Sequence, residues 1–136
     1  MGRIKSYQAF GDLGKIDYQW NGTRRVHRRA IEVMRTPRGE RTVKIVARSF
    51  NPSNYRYFMG VAYQLFDHVD EWVFWFEKES ALYVLPDGVV SRVWRISGCP
   101  ISESDQWAFN FHIDTGLIEG AYTSLRDYRH ELTDSG

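Results

Sequence analysis

At 136 residues the chain has the length of a single domain, 1–136, and its lone cysteine, Cys99, excludes an internal disulfide and a cysteine-rich zinc site, which points to a reducing, intracellular (cytoplasmic) setting. No apolar run approaches the roughly 20 residues that a membrane helix needs. The formal net charge of +1 conceals a sorting by position, because residues 1–56 hold thirteen Lys or Arg against four Asp or Glu while residues 57–136 hold five against thirteen.

Taken in chain order, the first half reads as β-structure. Residues 15–20 are short and apolar-aromatic, Asn21-Gly22 signals a tight turn, and residues 25–34 interleave β-branched and polar side chains, so a hairpin is expected. A second turn at Thr36-Pro37-Arg38-Gly39 leads into residues 41–50, where Val43, Ile45 and Ala47 alternate with polar neighbours, completing a three-stranded antiparallel meander. Residues 51–59 look like a loop, and apolar Val61, Ala62, Leu65, Phe66 and Val69 recur at helical spacing, predicting a helix over 59–69. The run Trp72-Val73-Phe74-Trp75-Phe76 is apolar on both faces of any strand, and residues 81–85 form a second such strand, which calls for covering layers. Residues 87–96 are compatible with helix or strand, 107–113 alternate like a strand, and 124–132 predict a terminal helix. The fold class expected is α/β or α+β, a mixed central sheet with the N-terminal meander flanked by helices.

Ten of the thirteen early cations are arginines, whose guanidinium forks grip phosphates and guanine edges bidentately. A polyanion responds to local charge, so nucleic acid, DNA first, is the partner to expect. Arg24, Arg25, Arg28 and Arg29 form the densest cluster, with Arg38 and Arg56 as further phosphate contacts. Tyr55, Tyr57 and Phe58, beside Arg56, are candidate base-stacking residues, whereas the aromatic run 72–76 reads as core.

Residues Lys15-Ile16-Asp17-Tyr18, Ala30-Ile31-Glu32-Val33-Met34, Asp67 to Phe74 and Leu82-Tyr83-Val84-Leu85-Pro86, taken in order, are similar to the core of the PD-(D/E)xK nuclease superfamily. The likeness runs from residue 14 to 86. It implies a restriction-endonuclease-like fold and metal-dependent hydrolysis of DNA phosphodiester bonds, with Asp17 and Glu32 holding Mg²⁺ (or Mn²⁺), which polarises the phosphate and activates a water. The family's lysine is expected two residues after Glu32, where this chain has Met34. The superfamily also usually places a helix before its first catalytic strand, and only about fourteen residues precede that strand here.

Register arguments bear on the pair. A three-residue loop at Pro37-Arg38-Gly39 puts Glu32 directly opposite Lys44, with Cβ atoms roughly 5 Å apart, which makes Lys44 the substitute for the missing lysine or a plain ion-pair partner. A two-residue turn at Asn21-Gly22 instead puts Asp17 opposite Val26 and leaves Glu32 roughly 20 Å farther along. Convergence of the two carboxylates then requires a longer loop or a bulge, or else Asp12 is the nearer carboxylate.

Two other readings remain open on the sequence. One is a binding module that uses the basic sheet without hydrolysis, consistent with Met34. The other is a small-ligand or protein-interaction domain whose opposite charges drive assembly, a homodimer included. The pairs His68/Asp70 and His112/Asp114 lack a third converging ligand, there is no nucleophile elbow or catalytic triad context, and no glycine-rich phosphate loop follows a strand.

Overall fold

In a computed structural model, which describes residues 2–47, 50–51, 56–97, 101 and 105–132, the chain opens with a helix where the sequence suggested no element. This helix, α1 (Gly2–Gly14), contains Gly11 and ends at Gly14, both poor helix formers, so its local signal is weak. Packing supplies what propensity does not. Ala9 and Leu13, one turn apart, are fully buried against Met34, Val43, Ile45, Val73 and Trp75 of the sheet beneath.

That sheet has six strands: β1 (Gln19–Val26), β2 (Arg29–Thr36), β3 (Gly39–Ala47), β6 (Glu71–Phe76), β7 (Ala81–Pro86) and β11 (Arg129–Glu131), in the order β1-β2-β3-β6-β7-β11. All neighbours are antiparallel except β3 and β6, which run parallel. The expected meander and mixed sheet are therefore present. Its turns differ from expectation. Asn21-Gly22 lies inside β1, where the register shifts between Trp20 and Gly22, and Gly22 adopts φ +137° at this bulge. The reversal comes at His27-Arg28, both left-handed at φ 49° and 66°, closed by the pair Val26 and Arg29. Positive φ at both central residues is the two-residue hairpin turn whose twist matches its strands. At the second turn Thr36 pairs with Gly39, so Glu32 faces Val43 across the strands rather than Lys44.

A second sheet covers the other face. It contains β4 (Phe50–Asn51), β5 (Arg56–Val61), β8 (Trp107–His112), β9 (Leu117–Ile118) and β10 (Thr123–Ser124) in the order β10-β9-β8-β5-β4, all antiparallel. The chain enters it between β3 and β6. Where a helix was expected over 59–69, Tyr57, Met59 and Val61 are buried in alternation with exposed Phe58 as β5 pairs with β8, and only Tyr63–Leu65 forms a short 3₁₀ turn. Residues 124–132 likewise form a 3₁₀ turn and β11 instead of a helix, because Arg129, His130 and Glu131 complete the edge of β7. Residues 87–97 resolve as a helix, α2 (Asp87–Ser97).

β6 is buried along its whole length, as its composition demands. Its side chains divide by parity: Trp72, Phe74 and Phe76 enter the core between the sheets with Phe109, Phe111 and Tyr83, while Val73 and Trp75 face α1. Buried aromatics of this size dominate core energetics. Among the described residues no helix is long and apolar enough to cross a membrane.

Candidate nucleic-acid interface

β1 is an edge strand of the six-stranded sheet, and its hairpin with β2 carries the arginine cluster. Arg24, Arg25 and Arg28 are exposed and Arg29 is half-buried. None of the four guanidiniums lies within ion-pair distance of a carboxylate among the described residues. The Arg25 Nη1 donates to the Arg28 carbonyl at 3.3 Å, tying one strand to the turn. His27, at the tip, meets His68 edge-on with ring centroids 5.0 Å apart. Two non-glycine residues held left-handed cost of order a kcal/mol each. The turn leaves Arg28 exposed at the tip.

Arg38 has a different fate. It sits in the second turn, the length of β2 away from the tip, roughly 25 Å. Its guanidinium contacts the Tyr18 hydroxyl and pairs with Glu71, a carboxylate buried at the start of β6, and the same hydroxyl donates to Glu71 Oε1 at 2.5 Å. Burial first, and then the hydrogen bond and charge of Glu71, push the Tyr18 hydroxyl above its usual range. This network joins residues 18, 38 and 71 from three separate elements, and no local motif announces it. The side chain of Arg56 and all of Tyr55 lie outside the described residues. Tyr57 is no stacking residue: it is buried and bonds Glu79, leaving Phe58 as the exposed aromatic of that strand.

The register keeps the expected metal ligands apart. Glu32 is opposite Thr23, whereas Asp17 lies in the exposed turn before β1, beyond Gln19, whose partner Arg35 is three residues or roughly 10 Å along β2 from Glu32. Glu32 Oε1 is instead occupied by the Trp20 Nε1 and Thr23 Oγ1 donors, each at 2.9 Å. Asp12 accepts from Trp75 Nε1 at 2.8 Å and pairs with Lys15. Among the described residues no three His, Cys, Asp or Glu side chains converge as a metal site. Lys44 pairs with Trp72 in register and thus projects toward the second sheet, whereas Glu32 projects toward α1. The Lys44 Nζ donates to the Ala30 carbonyl at 2.7 Å. Burial lowers the Lys44 ammonium, with Arg29 acting in the same direction and Glu32 against it. Met34 is fully buried under α1, packed in the core.

Among the described residues the arrangement therefore offers guanidiniums without a carboxylate partner on an edge hairpin, and no preformed carboxylate pair. Sequence reading missed Trp20, which is 48% exposed with its indole fixed by Glu32. Its only signal was its position within the apolar-aromatic stretch next to Asn21-Gly22. Comparison of the sequence with protein-family models and with characterised proteins, and of the fold with solved structures, gives no match.

Proposed function

We propose that this protein is a nucleic-acid-binding domain that holds its ligand by the phosphates through the β1–β2 hairpin. The observation that carries this reading is the set of guanidiniums of Arg24, Arg25, Arg28 and Arg29, gathered on one hairpin with no carboxylate among the described residues to neutralise them. Planar, permanently charged donors of this kind bind phosphate oxygens in forks, and displaced counterions favour the complex. The test is fluorescence anisotropy of a labelled oligonucleotide at 50 mM salt. Saturable binding that weakens steeply with salt supports the reading, and no binding at that salt overturns it.

A second reading is favoured by the element order. A helix, an antiparallel meander and then a strand parallel to the meander's third strand resemble a restriction-endonuclease-like core. On that reading the protein is a Mg²⁺- or Mn²⁺-dependent endonuclease acting through Asp17, Glu32 and Lys44. Against it stand the separation of the two carboxylates and the opposite facing of Lys44. The second reading requires plasmid nicking that Glu32→Ala abolishes; the binding domain nicks nothing in either metal.

A further inference from the structure

We infer that Trp20 is a stacking platform for an unpaired base, so that the ligand of the hairpin is a single strand rather than a duplex. This rests on the nucleic-acid reading and adds the class of ligand to it. The indole lies on the edge strand, stacked on Phe10 of α1 with ring centroids 5.9 Å apart and planes at 25°. Phe10 lies against the ring, and 48% of the residue remains exposed to solvent. Large aromatics left half-exposed beside unpaired cations are the pattern of single-strand binding, since every base has a π-face and only an unstacked base presents it.

The platform is held in place. Trp20 Nε1 donates to Glu32 Oε1, and Thr23 Oγ1 donates to the same oxygen, so the ring does not need to be ordered when a base arrives. Glu32 is accordingly a positioning residue. The register also sets the relation to the cations: Trp20 pairs with Met34 and Arg25 with Ala30, which puts both on the α1 side of the sheet, four residues or about 13 Å apart along β2. A base resting on Trp20 leaves its backbone free to run along the outer edge of β1 past Arg25 toward Arg28 at the tip, with Arg24, opposite Ile31, on the other face of the sheet. The Glu32 carboxylate between Trp20 and Arg25 repels phosphate and keeps the backbone on that outer edge.

The test compares an oligothymidylate of about twelve nucleotides, a blunt duplex of the same length, and heparin, a polyanion without bases, against wild type, Trp20→Ala and Trp20→Leu. The leucine variant keeps an apolar contact with Phe10 and removes the π-face. The expected result is that wild type prefers the single strand. Both variants lose about 5- to 150-fold on oligothymidylate, the range for removing one base-stacking aromatic, while heparin affinity stays unchanged. Glu32→Gln, which still offers an oxygen to Trp20 and Thr23, retains oligothymidylate affinity, and Glu32→Ala loses part of it. Unchanged oligothymidylate affinity in both Trp20 variants, or an equal loss on heparin, overturns the inference and leaves the phosphate grip standing. If wild type binds neither oligonucleotide nor heparin, the phosphate grip and the platform both fall.

Discussion

Replacing Arg24, Arg25 and Arg28 together with glutamine removes three exposed guanidiniums while leaving half-buried Arg29 in place. If each neutralises one phosphate of a single strand, the slope of log affinity against log salt falls by about 0.7 per contact, or about 2.1 in all. Over the fourfold range from 50 to 200 mM salt, wild type should then lose about 20-fold more affinity than the triple variant. The three side chains make no ion pair among the described residues, and the single bond from Arg25 to the Arg28 carbonyl is exposed and long at 3.3 Å, so stability should change by no more than about 0.5 kcal/mol per site. Anisotropy titrations of the oligothymidylate at four or five salt concentrations give both slopes, and thermal melts confirm the fold. Equal slopes in the two proteins would refute the reasoning, because they would mean that the phosphates are met elsewhere on the chain.

Four more outcomes follow from other parts of the molecule. Tyr18→Phe removes a hydrogen bond to the buried Glu71 carboxylate and should cost about 1.5–3 kcal/mol in denaturant unfolding. Because burial raises the Tyr18 hydroxyl in the folded protein, wild-type stability should hold below about pH 10 and fall as the pH rises past it, and the variant should fall less steeply between pH 9 and 11. His130, on the exposed edge strand, is lowered by partial desolvation and then by the nearby Arg38, with Glu71 acting against them, so its small contribution is present above about pH 6.5 and lost as the pH falls; His130→Gln should flatten the stability profile slightly between pH 6.5 and 5. His27→Asn with Arg28→Gly relaxes the two left-handed turn residues, so the melting temperature should rise while the salt slope drops by about 0.7. Gly116→Ala forces a Cβ to within 2.5 Å of the Arg126 backbone nitrogen at φ +70°, and a loss of at least about 2 kcal/mol is expected in the same denaturant assay.

Patterning marked several of the strands. Val43 and Ile45 in β3 and the alternation of β8 carry the two-residue period of a pleated strand, the short aromatic-rich run of β6 suits a strand buried on both faces, and the arginine cluster could be read directly from spacing. The sequence likewise determined that β6 must be covered on both faces, since residues 72–76 put large apolar side chains on both of its faces. What it did not contain is register. A one-residue difference at the Pro37-Arg38 turn sends Glu32 and Lys44 to opposite faces, and the turn at His27-Arg28, rather than Asn21-Gly22, moves Glu32 away from Asp17 and onto Trp20. Local turn chemistry favours Asn-Gly, but Ile31 is buried in the core between the sheets, with Val26 partly buried against it, when β1 runs on through that dipeptide as a bulge. Helix α1 and strand β5 were decided in the same way, one by burial of Ala9 and Leu13 on the sheet, the other by pairing with β8. Contacts separated by tens of residues, such as Tyr18 with Glu71 and Trp20 with Phe10 and Glu32, depend on where strands lie beside one another, and that placement is a property of the packed chain rather than of any window within it.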